Sequence, residues 1–323
     1  MPEGHTVHRL AHAFEELFGG QPLAVSSPQG RFADGAALLD GLRLVSTEAY
    51  GKHLFLGFSP APGGSDEDLR WLRTHLGLYG SWTFAGDATF SAPHAIGAPR
   101  RRVGEEEVAG DGAGAAAPAE WRVPEPRGAV RARLLGEHGV ADLTGPAACE
   151  VITAAEKVAV QERLGPDPLR PDGDGEAFVR NVRARRRAIG ELLMDQEIVS
   201  GVGNIYRAES LYRARIHPRR LGRDVPAARL SRLWADLVEV MADGVATGRI
   251  VTTRPEDRTP PGEVRDPEGE PVEGEPAEGE RWYVYRRTGL PCLVCGAKVA
   301  EAVLQARRLF WCPRCQRAPR RRV

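Results

Sequence analysis

The sequence predicts an α+β chain of several domains: a β-rich first domain led by one helix, a helical second domain, and a C-terminal ribbon folded around a metal ion. Three observations predict it. Apolar residues repeat at helical spacing at the start of the chain, then give way to period-two alternation up to about residue 95. A helical region follows, over 151–254. Four of the five cysteines then fall in two close pairs, Cys292-x2-Cys295 and Cys312-x2-Cys315, sixteen residues apart.

Residues 5–18 read as a helix, because Val7, Leu10, Ala11, Phe14, Leu17 and Phe18 recur every three or four positions and make one buried stripe. Alternating runs follow, such as 42–58, which places Lys52 of Gly51-Lys52-His53 on a strand. Another run, 128–143, contains a hairpin signal at Gly136-Glu137-His138-Gly139. Residues 97–127 interrupt the pattern with Arg100-Arg101-Arg102, three consecutive glutamates and an Ala/Gly/Pro stretch, and read as a mobile surface insertion. The first domain is therefore expected over 1–150.

In the helical domain, 151–254, a short helix carries Ile189, Leu192 and Leu193 into Ile198-Val199-Ser200-Gly201-Val202-Gly203. A new helix is expected to open at Asn204, a favoured N-cap residue. The last helix starts near Pro226, carries Leu230, Leu233, Trp234, Leu237, Val238, Met241 and Val245 on one face, and stops before Gly248. Residues 255–280 alternate Pro, Glu and Gly, are too charged to bury a core, and read as a linker. The ribbon and a basic tail occupy 281–323, and no internal repeat is present.

Charge is balanced at 44 basic and 44 acidic residues, but unevenly distributed. Residues 255–280 hold ten acids and two bases, whereas 281–323 hold eleven bases and one acid. A basic module of that kind is the electrostatic footprint of a nucleic-acid binder, and also of a merely solvated tail. Clustered cysteine pairs with Cys149 left over, and no apolar leader or membrane-length apolar run, lead to the expectation of a soluble cytoplasmic protein.

Two Cys-x2-Cys knuckles at this separation converge four thiolates on one zinc ion, leaving no open position, so the expected cofactor is a single structural Zn2+ held by Cys292, Cys295, Cys312 and Cys315. Between the knuckles, 303–311 alternates like a hairpin with Arg307 and Arg308 near its tip. Such ribbons enter DNA grooves and also bind proteins, and the spacing does not choose between these. The Gly201-Val202-Gly203-Asn204 turn exposes backbone N–H groups at a helix start and suits a phosphate, although an ordinary helical corner has the same pattern.

The chain begins Met1-Pro2-Glu3-Gly4-His5. Initiator methionine is commonly removed before proline, which leaves Pro2 with a free secondary amine. Such an amine has a pKa within a unit or two of roughly 7.7–8.0 and can act as a nucleophile. Attack on a sugar C1′ would give a charged iminium, an electron sink that favours elimination, with the Glu3 carboxyl beside it to move protons. Lys52 is one of only three lysines in an arginine-dominated chain, which hints at a need for an ammonium that can share a proton.

In combination the Pro2-Glu3-Gly4 start, Gly51-Lys52, Leu164-Gly165-Pro166-Asp167, the Gly201–Asn204 turn and the terminal ribbon resemble the formamidopyrimidine-DNA glycosylase/endonuclease VIII family of base-excision repair enzymes. The resemblance covers nearly the whole chain outside 97–127 and 255–280. It implies an N-terminal β-sandwich, a helix–two-turn–helix element around the turn, and DNA between two lobes. It implies Pro2 as Schiff-base nucleophile, Glu3 as proton donor and acceptor, and Lys52 as a phosphate contact that assists the acid–base steps. Asn204 and Arg307 would grip the phosphates that flank a flipped nucleotide. His75-Leu76-Gly77-Leu78-Tyr79-Gly80 resembles the endonuclease VIII pattern, in which a leucine–tyrosine wedge fills the hole left by the base. The plainer reading of Leu78 and Tyr79 is a buried pair at a strand end.

The expected activity is therefore removal of oxidised bases, pyrimidines first, from double-stranded DNA, with β,δ-elimination at abasic sites. The expected form is a monomer without membrane attachment, located in the cytoplasm with the bacterial nucleoid. The alternatives are an oxidised-purine-specific glycosylase and a non-catalytic damaged-DNA-binding protein on the same scaffold.

Overall fold

A computed structural model describes residues 2–61, 66–98, 121–258 and 278–318. The chain divides into two compact units, Met1–Arg163 and Leu164–Val323. Among the described residues no helix is long and apolar enough to cross a membrane.

The first unit opens with helix α1 (Gly4–Phe18). Strand β1 (Ala24–Ser26), helix α2 (Ala33–Leu39) and strands β2 (Arg43–Tyr50) and β3 (His53–Ser59) follow. Next come β4 (Arg70–His75), β5 (Ser81–Gly86), β6 (Ala95–Gly97), β7 (Val130–Leu135), β8 (Gly139–Thr144), β9 (Ala148–Ile152) and helix α3 (Ala154–Gln161). The strands build two antiparallel sheets, ordered β1-β7-β8-β5-β6 and β2-β3-β4-β9. Their inner faces share one core with the apolar stripe of α1. In it Phe14 meets the buried Trp82 edge-on, with ring centroids 4.8 Å apart. This is the expected sandwich with its leading helix.

The 42–58 run is two strands rather than one. Gly51, at φ 59°, takes the first central position of a two-residue turn that pairs Tyr50 with His53. Lys52 therefore sits on the turn and not on a strand. Only the ends of the 97–127 insertion are described, and residues 99–120 lie outside the described residues. The first unit runs past residue 150 because α3 docks back on the sheet. Its N-terminus is closed by a capping box of Thr153 and Glu156. Lys157 then lies over the Trp71 ring, 3.5 Å from its centroid, and pairs with Glu48.

The second unit contains α4 (Gly175–Arg183), α5 (Ile189–Leu192), α6 (Asn204–Arg213) and α7 (Ala227–Thr247), then the hairpin β10 (Ala300–Leu304) and β11 (Arg307–Trp311). Its helices enclose a core that includes Phe178, Leu193, Val199, Tyr206, Leu233 and Met241. Helix α7 ends where Gly248 takes φ 73°, the left-handed stop that the sequence signals.

The ribbon packs against α6. Ile205, Ala208 and Tyr212 of α6 share a core with Tyr283, Val284, Val299 and Phe310. The described ends of the acidic stretch are tied to this core. The Tyr283 hydroxyl donates to Asp257 at 2.5 Å, and the Thr253 hydroxyl donates to the Glu280 carbonyl at 2.6 Å. Residues 259–277 of that stretch lie outside the described residues.

Candidate active site and metal centre

In the first unit Pro2 is buried and Glu3 is wholly inaccessible, at the extended residue (φ −121°, ψ −175°) from which α1 starts. The Glu3 carbonyl accepts from Thr6 N–H at 3.0 Å, while its carboxylate makes no capping bond to the helix. Burial, followed by the nearby amino terminus and Arg9, lowers His5 to a pKa of about 3, so the imidazole beside the chain start stays neutral. Helix α1 packs on β2 and β3, the hairpin whose turn carries Lys52.

Lys52 belongs to a basic cluster. His53 and His75 face each other across β3 and β4, ring centroids 5.0 Å apart, and Arg73 Nε donates to His53 Nδ1 at 3.2 Å. Burial first, then Arg73, His75 and Lys52, hold His53 at about 3, and His75 is lowered by burial, Lys52 and Arg73. The two neutral imidazoles stand beside Lys52 and Arg73, the latter paired with Glu150, and a basic patch of this kind suits an anion such as a phosphate.

The same sheet end carries the Leu78–Tyr79 loop. His75 Nδ1 accepts from Gly77 N–H at 3.1 Å, and Gly80 N–H donates to the Leu76 carbonyl at 2.9 Å. Gly77 adopts φ +65° with Ala147 so close that an added Cβ would lie 2.8 Å from it. The loop thus presents Leu78 at 54% and Tyr79 at 82% exposure. A buried strand-end pair is excluded; two large apolar groups held out on a short braced loop are what a wedge requires.

In the second unit the turn before α6 is fastened by one side chain. Gln196 Nε2 donates to the carbonyls of Met194 and Val202, each at 3.2 Å, and its Oε1 accepts from Gly201 N–H at 3.1 Å. Asn204 is not the N-cap. Gly203 holds that position in extended geometry, and the Asn204 side-chain oxygen accepts from Arg207 Nη2, so it does not cap its own helix. Arg207 is almost fully buried and also donates to the carbonyls of Gly190 (3.2 Å) and Arg308 (2.8 Å). One guanidinium therefore joins Asn204 to strand β11, which begins with Arg307.

The two ribbon arginines differ. Arg308 is engaged by Glu301, at 2.5 and 2.6 Å, whereas Arg307 stands exposed directly after the Gln305-Ala306 tip. The tip itself holds two non-glycine residues at φ 48° and 58°, a hairpin turn that usually takes Asn-Gly.

Below the hairpin the four cysteine sulfurs lie within 4.8 Å of one another, with Cys292–Cys315 at 3.9 Å and Cys295–Cys312 at 3.4 Å. Tetrahedral zinc with Zn–S bonds of about 2.3 Å separates its sulfurs by about 3.8 Å, so the cluster fits that ion. All four positions come from cysteine, and a site so closed holds structure instead of activating water.

Sequence reasoning missed Glu209. Its buried carboxylate accepts from the backbone N–H groups of Tyr283 (2.7 Å), Val284 (2.9 Å) and Tyr285 (2.8 Å), and from the Thr252 hydroxyl (2.5 Å). Burial pushes its pKa up, and these donors oppose the shift. A charge on a helix face buried from Asn204 to Tyr212 was the available signal. Glu209→Ala strands three buried amides, and should lower stability to urea by on the order of 3–5 kcal/mol; a loss under 1 kcal/mol would refute the anchoring role.

The comparisons with known proteins bear on the same parts. Family models match the formamidopyrimidine-DNA glycosylase N-terminal domain over residues 1–107, its H2TH domain over 164–255, and a zinc finger found in FPG and IleRS over 289–318. Endonuclease 8 1 of Mycobacterium tuberculosis is 40% identical over 317 residues, covering 98% of this chain and 100% of the relative. The chain belongs to the formamidopyrimidine-DNA glycosylase/endonuclease VIII family. A formamidopyrimidine-DNA glycosylase of Nocardia farcinica is 32% identical, covering 100% of this chain and 99% of that one. In fold, this family member is similar to a Lactococcus lactis FPG mutant solved with DNA containing Fapy-dG, at a TM-score of 0.68 and 19% identity, covering 98% of this chain and 100% of that one.

Proposed function

We propose that this chain is a bifunctional DNA glycosylase and abasic-site lyase that removes oxidised bases, pyrimidines first, from duplex DNA. The observation that carries the reading is the Pro2-Glu3 start, buried at the head of α1 in a chain 40% identical over its whole length to an endonuclease 8. Once methionine is removed, the Pro2 amine attacks C1′ of the damaged nucleotide and the base departs. Glu3 protonates the sugar ring oxygen as the ring opens, leaving an iminium between Pro2 and C1′. Loss of a C2′ proton expels the 3′ phosphate, and a second elimination expels the 5′ phosphate, so that a gap with phosphate ends remains.

Lys52 holds a phosphate at the basic cluster and assists these proton transfers. Leu78 and Tyr79 fill the vacated stack. Asn204, which Arg207 ties to the Arg308 carbonyl of β11, and Arg307 on the same strand grip the backbone that flanks the flipped nucleotide. A single zinc on Cys292, Cys295, Cys312 and Cys315 keeps the ribbon folded and takes no part in the reaction.

Duplexes carrying one oxidised pyrimidine, one oxidised purine or one abasic site test the reading. Incision is expected at the pyrimidine and the abasic site ahead of the purine. Preferred incision at the purine would reverse the lesion assignment, and binding without incision at any of them would reduce the chain to a binding protein. Counterion release at Lys52 and Arg307 should weaken binding about tenfold between roughly 50 and 200 mM salt, and Arg307→Ala should reduce the log–log slope by about 1. A slope unchanged by that substitution would remove Arg307 from the phosphate grip.

A further inference from the structure

The C-terminal end of α6 lies against the cysteine cluster. Tyr212 is almost fully buried, and its hydroxyl lies 3.1 Å from Cys292 Sγ and 3.8 Å from Cys315 Sγ. Its ring is stacked on Tyr283 with centroids 4.5 Å apart, which fixes the hydroxyl's direction. Three residues on, the Arg215 guanidinium lies over the Tyr212 ring, 4.8 Å from its centre, and so stands beside the side chain whose hydroxyl meets Cys292 and Cys315.

The backbone at Arg215 is unusual. Arg215 N–H donates to the Tyr212 carbonyl and Ile216 N–H to the Leu211 carbonyl, both at 2.9 Å, the paired bonds of a helix end normally closed by glycine. Arg215 adopts φ 56° there, a left-handed conformation that side chains disfavour. The strain has an offset if the guanidinium is needed where that conformation sends it. Four thiolates around a dication carry two net negative charges, and a partly buried site of that kind gains from a hydrogen-bond donor and a nearby cation.

We propose that Tyr212 and Arg215 form an outer shell of the metal centre: the Tyr212 hydroxyl donates to the Cys292 thiolate, and Arg215 offsets the charge of the cluster. This rests on the zinc reading above. The role of both residues is positioning: they tie retention of the metal to α6, the helix that begins at Asn204.

Zinc transfer from the full-length protein to the chelator 4-(2-pyridylazo)resorcinol tests the proposal. Tyr212→Phe, which removes one oxygen and keeps the stacked ring, should weaken zinc binding about ten- to a hundred-fold. In the cadmium-substituted protein it should move the thiolate-to-metal charge-transfer band to longer wavelength, because the sulfur loses its donor. Arg215→Gly should act in two directions at once, raising the melting temperature by relieving the backbone while speeding zinc release. Arg215→Lys should keep release slow. Zinc affinity and a cadmium band unchanged in Tyr212→Phe would overturn the hydrogen bond, and release no faster in Arg215→Gly would overturn the charge role, whether or not the tyrosine variant folds. Wild-type protein that binds no zinc at all would overturn the underlying zinc reading instead.

Discussion

Replacing Pro2 with glycine, or leaving a residue ahead of it, is expected to abolish covalent trapping by borohydride on an abasic duplex. A retained residue turns the nucleophile into an amide nitrogen, which cannot attack C1′. Glycine offers a primary amine, so its adduct is a neutral imine unless it gains a proton. It also loses the ring that fixes the amine's direction at the head of α1. Proline's secondary amine gives an iminium that carries its charge through every later step. The setting of Pro2 favours this chemistry: it is buried, and the adjacent His5 is held neutral with a pKa of about 3 and so adds no cation near the amine. Glu3→Gln, which keeps the shape and removes the proton, should slow base removal by about 10²–10⁴-fold. Unchanged trapping in either Pro2 variant would end the case for this nucleophile.

Cys312→Ala is expected to remove zinc, DNA binding and incision together while the first unit stays folded. Cys312 is fully buried, its sulfur lies 3.4 Å from Cys295, and its N–H donates to the side-chain oxygen of Gln316 at 2.9 Å. Structural zinc contributes about 10–16 kcal/mol of apparent binding free energy in small ribbons, far more than the few apolar side chains between the knuckles can replace. The loss should spread to α6, whose Ile205, Ala208 and Tyr212 share their core with the ribbon. The first unit has its own core around Phe14 and Trp82 and should keep its hydrogen-exchange protection. A Cys312→Ala protein that incised at the wild-type rate would show that the ribbon is no clamp.

Much of this was legible in the sequence because it depends on local patterns. The stripe of α1, the hairpin at 136–139, the Gly248 helix stop and the cysteine quartet each follow from spacing alone. What was not legible depends on partners distant in the chain. Whether Leu78 and Tyr79 are packed or presented is decided by the bracing of their loop through His75, Gly77 and Ala147. Asn204 reads as an N-cap until Arg207 takes its side-chain oxygen, and Arg308 reads as the equal of Arg307 until Glu301 engages it. Lys52 looked like a strand residue because the alternation on both sides continues through a turn of only two residues. Glu209 gave almost no warning, since its partners lie more than forty residues away at Thr252 and at 283–285. Recognition of the family rested on motifs in combination, because no single one of them names the chemistry.

The central claim is that the reacting group is the amine of Pro2. Its most direct test is to trap the wild-type protein on an abasic duplex with borohydride, digest the product, and locate the modified residue by mass spectrometry. The expected result is a single reduced sugar adduct on the nitrogen of an N-terminal peptide that begins at Pro2. An adduct on Lys52 or another side chain, or no adduct on a protein that binds the duplex, would contradict it.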